Sequence, residues 1–304
     1  MCKHQLVTIS ILLCTLIACF AEAQPATNEP IAVLTKEHGS TESVPVDPLL
    51  EKQSAELVEL AEQPAAVIKT MQEVHGAFRG QQGYVAQFGD SITHSMAFWS
   101  PIGWDNPDRF LAEDDGLAKK PMSGRWRDYV KGTRSKGAEH GNGSGWKAGR
   151  LLEAVGPVLE REQPEVAIIM IGTNDIASGK VPKQYRQQLE AMIQKCLAAH
   201  CVPILNTIPP RRGRDQAVRD VNRIIRDVAM EQSVPLVDYH AACLRLRPEG
   251  TWDGTVMSAD GVHPSGGKTN DYSVENLRQC GYALRNWMNF LVLRQVYHRV
   301  LAKE

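Results

Sequence analysis

The sequence lacks the features that mark several common classes of protein. Its 34 basic and 35 acidic residues nearly cancel and neither sign forms a long run, so nothing predicts nucleic-acid binding. No pair of cysteines and histidines has the spacing of a zinc site. The chain also has no P-loop and no GxSxG nucleophile turn. We therefore expect neither a metal nor a nucleotide cofactor.

Long apolar runs are scarce, and the one near the N-terminus is too short for a comfortable membrane span. It covers residues 6–20, follows Lys3 and precedes a small-x-small sequence (AEA), which predicts a secretory signal peptide over residues 1–23. A second interpretation is a lipoprotein signal, because LIAC at residues 16–19 resembles a lipobox with Cys19 as the lipidated residue. A third interpretation is an N-terminal membrane anchor that is not cleaved. The protein is expected to be exported, either secreted or periplasmic, or attached to a membrane through Cys19.

Cysteine is also sparse after the predicted signal peptide. Cleavage at residue 23 leaves four cysteines, which an exported protein can oxidise. Their pairing cannot be deduced from the sequence, and buried free thiols are the alternative. The four are Cys196, Cys201, Cys243 and Cys280.

A polar leader gives way to an alternation of strand and helix patterns. Residues 24–48 have the composition of a flexible linker, and residues 49–79 predict a helical lead-in, interrupted near Pro64. In the domain at residues 80–304, the apolar run at 165–171 is typical of a strand buried on both faces of a parallel sheet. Further strands are predicted at 84–88, 202–207 and 234–239, and helices at 182–200, 215–232 and 273–301. This order predicts an α/β fold, a three-layer α/β/α sandwich with a mostly parallel central sheet.

Polar motifs directly follow two of these strands. GDSIT at residues 89–93 contains Ser91, and GTND at residues 172–175 contains Asn174. Ligands bind at the carboxyl ends of strands in parallel α/β sheets, so both side chains are expected in one crevice. Taken singly, either motif is equally consistent with a helix cap.

Two more motifs complete the set. DGVHP at residues 260–264 places Asp260 three residues before His263, a spacing that lets the carboxylate hold Nδ1 of the imidazole and leave Nε2 free as a base. The glycine cluster at residues 141–145 (GNGSG) precedes a predicted helix, and a backbone N–H of such a loop can donate to an oxyanion. Trp146 occupies the last glycine position of GxGxxG, which argues against dinucleotide binding.

In this order, the four motifs resemble those of the SGNH/GDSL hydrolase family, which is marked by a GDS(I/L) serine, a glycine, a GxND asparagine and a DxxH pair. The resemblance covers roughly residues 83–265 and implies a flavodoxin-like sandwich. It implies Ser91 as nucleophile, His263 as general base and Asp260 as its orienting carboxylate. It further implies an oxyanion hole formed by Ser91, Asn174 and a glycine, for which Gly145 is preferred and Gly143 stays possible.

A tryptophan-rich insert at about residues 94–140 distinguishes the chain from small members of this family. Aromatic faces near the site can stack on sugar rings or hold an acyl chain, although packing is the alternative role for each of them. The candidates are Trp99 and Trp104 of the insert, Trp146 directly after the glycine cluster, and Trp252, eight residues before Asp260. Trp126 also lies in the insert. We expect a polysaccharide or small-molecule ester as substrate, with carbohydrate acetyl esters ahead of lipase or lysophospholipase substrates. A non-catalytic carbohydrate-binding envelope protein is the alternative of another class. The oligomeric state is open.

Overall fold

The fold follows the predicted alternation of strands and helices. The computed structural model describes residues 47–111, 128–129 and 136–302. The predicted signal peptide, Cys19, most of the linker and Trp126 lie outside the described residues. The described residues belong to one compact unit, Val46–Glu304.

The central sheet contains four strands within the described part of the chain, in the order β1-β2-β3-β4 with all neighbours parallel. The strands are β1 (Gln81–Gly89), β2 (Pro164–Met170), β3 (Val202–Asn206) and β4 (Leu236–Val237). Every residue of β2 and β3 is buried, because helices cover both faces of the sheet.

The helices form two layers. On one side, α4 (Ala148–Glu162), α5 (Tyr185–Ala198) and α6 (Asp215–Glu231) pack beside one another and contact β1 and β3. The other side contains α1 (Pro48–Ala61), α2 (Ala65–Gly76) and α9 (Gly281–Val296), which contact β3 and β4. The short helices are α3 (Ser91–His94), α7 (Tyr239–Leu246) and α8 (Val274–Leu277), and a π-helical turn, Tyr297–Leu301, follows α9. The predicted α/β sandwich with a parallel sheet is confirmed.

The lead-in helices α1 and α2 are part of the hydrophobic core. Asp47 caps α1 by accepting a hydrogen bond from the Leu49 N–H at 2.9 Å, and Pro64 precedes α2. Leu57 of α1 and Met71 of α2 are fully buried. The segment at residues 49–79 therefore contributes side chains to the same hydrophobic core as the domain that follows it.

Two predicted elements differ in the structure. β4 has only two residues because Asp238 ends it, and the Asp238 carboxylate accepts from the Ala241 N–H at 3.1 Å to cap α7. The last predicted helix, at 273–301, is broken into α8, α9 and the π-helical turn. At the start of α9 the backbone of Val256 approaches Gly281 so closely that a Cβ there would lie 1.9 Å from the Val256 carbonyl oxygen.

All four described cysteines are free and buried. Within the described ranges, no helix has both the length and the apolar character needed to cross a membrane.

Candidate active site

Ser91 lies at the carboxyl end of β1, at the first position of α3. The Asp90 carboxylate caps this helix by accepting from the Ile92 N–H at 3.0 Å. Gly89 allows a close approach, since a Cβ there would lie 2.3 Å from Thr93 Oγ1. As the first residue of a helix, Ser91 has a backbone N–H without an intrahelical acceptor. This nucleophile turn, residues 89–93, thus presents both the Ser91 hydroxyl and a free backbone N–H at the sheet edge.

His263 joins Ser91 to Asp260 in a chain of hydrogen-bonded groups. Ser91 Oγ and His263 Nε2 are 2.9 Å apart, and His263 Nδ1 and Asp260 Oδ2 are 2.7 Å apart. A carboxylate at Nδ1 favours the tautomer with its proton on that nitrogen. Nε2 is then the acceptor for the serine hydroxyl proton.

The Asp260 carboxylate is held by its own loop. Its Oδ1 accepts hydrogen bonds from the Ser258 hydroxyl at 2.7 Å and from the backbone N–H groups of Val262 and His263 at 2.8 and 2.9 Å. Partial burial raises the pKa of Asp260, but the hydrogen bonds from these donors and from the imidazole outweigh it. The pKa is consequently held well below its usual range, so the carboxylate is ionised at neutral pH.

The base loop, residues 256–265, is attached to the start of α9. Ser265 accepts a hydrogen bond at its Oγ from the Gly281 N–H at 2.9 Å, and its carbonyl accepts from the Tyr282 N–H at 3.1 Å. The first turn of a helix offers unpaired N–H groups, and here the loop uses them.

The glycine loop distinguishes the two candidate oxyanion donors. The Gly143 residue is buried and its N–H donates to the Gly89 carbonyl at 3.3 Å. Gly145 is exposed, has a φ of +76° and forms no backbone hydrogen bond through its N–H with the described residues. Gly145 is therefore the residue whose N–H is available to a substrate.

Asn174 lies between the glycine loop and the nucleophile turn. Its Nδ2 donates to the Trp146 carbonyl at 3.1 Å and, at a longer 3.4 Å, to Asp90 Oδ2. Both amide hydrogens thus have protein acceptors, and the longer contact is the weaker one. A substrate oxyanion would compete for this second hydrogen.

Asp175 connects the GTND turn to the glycine loop, a role that sequence reasoning missed. Both of its carboxylate oxygens accept from the Ala148 N–H at 3.1 Å, at the start of α4. Lys147, the residue before this helix, cannot cap it with a side-chain acceptor. A helix start without a cap residue was the only signal in the sequence.

Asn142 is a second residue that was missed. Its Nδ2 donates to the Gln87 carbonyl at 3.0 Å, and its Oδ1 accepts from the Gly137 N–H at 3.0 Å. His94 Nδ1 lies 3.1 Å from the same oxygen. Asn142 also forms a parallel bridge with Gly89, so the glycine loop runs beside β1.

Two cations, one fully and one partly buried, lie behind the nucleophile turn. Arg285 of α9 is fully buried and donates to the Ile92 carbonyl at 3.0 Å and to Thr93 Oγ1 at 2.9 Å. Lys136 donates to the Thr93 carbonyl at 2.7 Å. The guanidinium also lies 3.5 Å from the centre of the Phe98 ring. Neither cation was anticipated, because their contacts join residues far apart in the sequence.

Burial shifts the pKa values of Asp90, Lys136 and Arg285, which lie in or behind the nucleophile turn. It raises the pKa of Asp90 to about 6, although the Ile92 N–H and the Arg285 charge oppose the shift. Burial, with the Arg285 charge second, lowers the pKa of Lys136 to about 7. For Arg285 itself burial lowers the pKa to about 10, so the guanidinium stays charged at neutral pH.

The four candidate tryptophans fall into two groups. Trp99 is 1% exposed, with its Nε1 donating to the Tyr129 carbonyl at 3.0 Å, and Trp252 is 8% exposed. Rings this buried offer little face to a ligand, which favours packing as the role of Trp99 and Trp252. Trp104 is 64% exposed, and Trp146 is partly exposed with the Arg150 guanidinium 5.2 Å from its ring centre.

A parallel α/β sheet with this Ser–His–Asp arrangement at its carboxyl edge is the geometry of a serine hydrolase. The model of the GDSL-like Lipase/Acylhydrolase family matches residues 88–266, more than half of the chain, so this chain belongs to that family. The resemblance seen in the four motifs is thereby confirmed, and the protein is a carboxylic ester hydrolase.

Curated relatives have the same class of activity in their names. Esterase TesA of Pseudomonas aeruginosa is 27% identical over 179 residues, which cover 58% of this chain and 77% of the relative. Thioesterase 1/protease 1/lysophospholipase L1 of Escherichia coli is 31% identical over 110 residues, covering 36% of this chain and half of the relative. Among solved structures, the lipase/acylhydrolase from Enterococcus faecalis is 19% identical with a TM-score of 0.48, over 73% of this chain and 98% of that one.

Proposed function

We propose that this protein is an exported serine esterase that removes acetyl groups from polysaccharides, with Ser91 as nucleophile, His263 as general base and Asp260 as the carboxylate that orients it. The observation that carries the catalytic assignment is the continuous hydrogen-bonded chain, with 2.9 Å from Ser91 Oγ to His263 Nε2 and 2.7 Å from His263 Nδ1 to Asp260. Geometry of this kind activates an otherwise weak hydroxyl nucleophile.

The first half of the reaction acylates the enzyme. Ser91 Oγ attacks the ester carbonyl carbon while His263 Nε2 takes the hydroxyl proton. Negative charge moves to the carbonyl oxygen, which accepts from the N–H groups of Ser91 and Gly145 and from the Asn174 amide. The intermediate then collapses: the carbon–oxygen bond to the alcohol breaks, and the imidazolium of His263 gives its proton to the departing alcohol.

The second half reverses these roles with water. His263 takes a proton from a water molecule, whose oxygen attacks the acyl-enzyme carbonyl. When the bond to Ser91 Oγ breaks, the imidazolium returns a proton to the serine, and the carboxylic acid leaves. Asp260 stays ionised throughout and stabilises the imidazolium.

The polysaccharide assignment is supported by aromatic surface and by the N-terminal sequence. Trp104 is 64% exposed and Trp146 is partly exposed, and such rings stack well on sugars. A predicted export signal at residues 1–23 would bring the enzyme to extracellular glycans. Mass spectrometry of the mature N-terminus tests this part: a start near Gln24 supports secretion, and a lipidated Cys19 supports anchoring.

Replacing the nucleophile tests the catalytic assignment. We expect Ser91→Ala to lower kcat on acetyl esters on the order of 10⁶-fold, as removal of a triad serine does elsewhere. Release of acetate from acetylated xylan and hydrolysis of p-nitrophenyl acetate are the measurements. Wild-type turnover by the folded variant would overturn the assignment.

A second candidate is an acylhydrolase acting on lipids. It is favoured by the names of the relatives, one of which is a thioesterase and lysophospholipase. Rates on p-nitrophenyl esters of increasing chain length, set beside acetate release from xylan, distinguish the two. A rate that rises with chain length supports the lipid substrate.

The non-catalytic alternative, a carbohydrate-binding envelope protein, makes a simple prediction. A fluorophosphonate probe should label Ser91 in an active esterase and should fail to label Ser91→Ala. Absence of labelling in the wild type would favour the binding protein.

A further inference from the structure

Three arginines lie in the loop between β3 and α6, residues 207–214, at the carboxyl edge of the sheet. A guanidinium N–H of Arg211 donates to the Thr173 carbonyl, next to Asn174. The backbone N–H of Arg212 donates to the Gly261 carbonyl at 2.9 Å, between Asp260 and His263. This arginine loop therefore contacts both the GTND turn and the base loop.

Arg212 has a structural explanation. Its guanidinium forms a two-point ion pair with Asp253 at 2.6 and 2.7 Å and donates to the Ala259 carbonyl at 3.0 Å. Gly261 has a φ of +69°, and a Cβ there would lie 2.6 Å from Arg212 Cβ. Arg212 thus supports the base loop, and its charge is neutralised.

Arg211 and Arg214 have no such explanation. Arg214 donates to the carbonyls of Ala177 and Gly213 at 3.0 and 2.7 Å, and Arg211 donates to the Thr173 carbonyl. Within the described part of the chain, neither has a carboxylate within ion-pair distance. Carbonyl contacts satisfy a few of the five N–H donors of each guanidinium and none of its charge.

The groups around Arg211 leave its positive charge unbalanced. Burial lowers the pKa of Arg211, and the neighbouring charge of Arg214 lowers it further. The Asp90 charge opposes this shift. Asp90 is, however, fully buried, and its carboxylate already accepts from the Ile92 N–H of the nucleophile turn. Asp253 is paired with Arg212 and Asp260 with His263. Among the described residues, two partly exposed guanidinium groups thus remain without a carboxylate partner beside the site.

We propose that Arg211, together with Arg214, binds an acidic group of the substrate, a carboxylate or a phosphate, close to the ester that Ser91 attacks. The inference rests on the proposed esterase function and specifies its substrate as anionic. A guanidinium suits this task because its planar fork matches the oxygens of a carboxylate or phosphate. Acetylated polysaccharides that contain uronic acids supply such a carboxylate, and lysophospholipids supply a phosphate.

Two matched pairs of substrates test the proposal. Acetylated methyl glucuronoside and acetylated methyl glucoside differ by a carboxylate in place of a hydroxymethyl group. A lysophosphatidic acid and the monoacylglycerol with the same acyl chain differ by the phosphate. We expect wild-type kcat/KM to favour the anionic member of one pair by roughly 10-fold, the effect of one charged hydrogen bond. The pair that shows the preference identifies the source of the anion.

Variants assign the preference to residues. Arg211→Gln should reduce the preference to within about 2-fold of unity, and Arg214→Gln should reduce it in part. Arg223→Gln is the matched control, because this arginine is exposed on α6 and lies 3.6 Å from Asp220. It should keep both the rate and the preference of the wild type.

The outcomes are distinct. A purely structural role for Arg211 would lower the rates on both members of a pair equally, and an unchanged ratio would overturn the proposal. A wild type that hydrolyses p-nitrophenyl acetate but prefers neither anionic substrate overturns the acidic subsite alone. A wild type that hydrolyses no ester overturns the esterase function, and the subsite with it.

Discussion

The nucleophile turn and the base loop meet at a single hydrogen bond but are built in opposite ways. Asp90 and Thr93, on either side of Ser91 in the nucleophile turn, are fully buried. In the base loop, the side chains of His263 and Asp260 are 40% and 50% exposed. The turn is held by Arg285, nearly 200 positions away in the sequence. The Asp260 carboxylate, in contrast, is held by donors within three residues of it.

This difference separates catalysis from stability. A change at Asp260 removes local hydrogen bonds from a half-exposed side chain, so we expect it to affect activity far more than folding. A change behind the nucleophile turn removes contacts between distant parts of the core, so it should affect folding as well. The following predictions run from the largest expected effect to the smallest.

Among the variants that separate these two regions, Asp260→Asn gives the largest expected loss. Without the carboxylate, the imidazole of His263 loses the partner that holds its tautomer, and kcat should fall about 10⁴-fold. The midpoint of thermal unfolding should stay close to that of the wild type, because the Asp260 side chain is half exposed. Asp253→Asn, which removes an acid outside the triad, is the control and should lose far less activity. Equal losses in the two variants would contradict the assignment.

Asn174→Ala tests the side-chain amide that is proposed to donate to the oxyanion of the substrate. Loss of one oxyanion donor should lower kcat by roughly 100- to 1000-fold, with a smaller effect on KM. Thr173→Val is the matched control, since its buried hydroxyl has no hydrogen-bond partner among the residues that the structure describes. If both variants lost activity to the same degree, the effect would come from the turn as a whole and not from the Asn174 amide.

Arg285→Met tests the buried side directly. It removes two charged hydrogen bonds to the nucleophile turn, and the free energy of unfolding should fall by about 3 kcal/mol. Denaturant titration measures this change, with the exposed Arg223→Met as reference. An unfolding free energy within about 1 kcal/mol of the wild type would show that the turn does not depend on Arg285.

The pH dependence of stability sharpens the contrast. Burial raises the pKa of Asp90 from 3.8 to about 6, so the folded state holds this proton more tightly than the unfolded state. The stabilising effect is present below pH 4 and is lost as pH rises towards 6. Relative to Asp90→Asn, the wild type should therefore lose up to about 3 kcal/mol across this window. A difference that stays constant with pH would contradict the raised pKa of Asp90.

Sequence patterns predict one layer of this molecule better than the others. The runs at β2 and β3 are apolar and bounded, so their ends, and the motifs that follow them, can be located in advance. The end of β4 and the break before α9 depend on Asp238 and on the close approach of Val256 to Gly281. Composition also could not tell that Trp99 is a core residue and Trp104 a surface one.

The residues of the candidate site also differ in how far the sequence predicts them. Ser91, Asn174, Asp260 and His263 occur in short motifs, whereas Arg285, Lys136 and Asn142 support them through contacts across the fold. Such supporting residues have no local pattern, because each is defined by what packs beside it. The charge on Arg211 is visible in the sequence, but its lack of a carboxylate partner appears only once the loops are assembled.

One helix connects the two catalytic loops. The Gly281 N–H at the start of α9 holds Ser265 of the base loop, and Arg285, four residues later, holds the nucleophile turn. Four residues are about one helical turn, or roughly 6 Å along the axis. The separation of the nucleophile from its base is thus set by a rigid spacing within α9. Inserting a single residue between Gly281 and Arg285 would rotate one attachment by about 100° relative to the other. The C-terminal helix, which contributes no reacting group, sets the register of those that do.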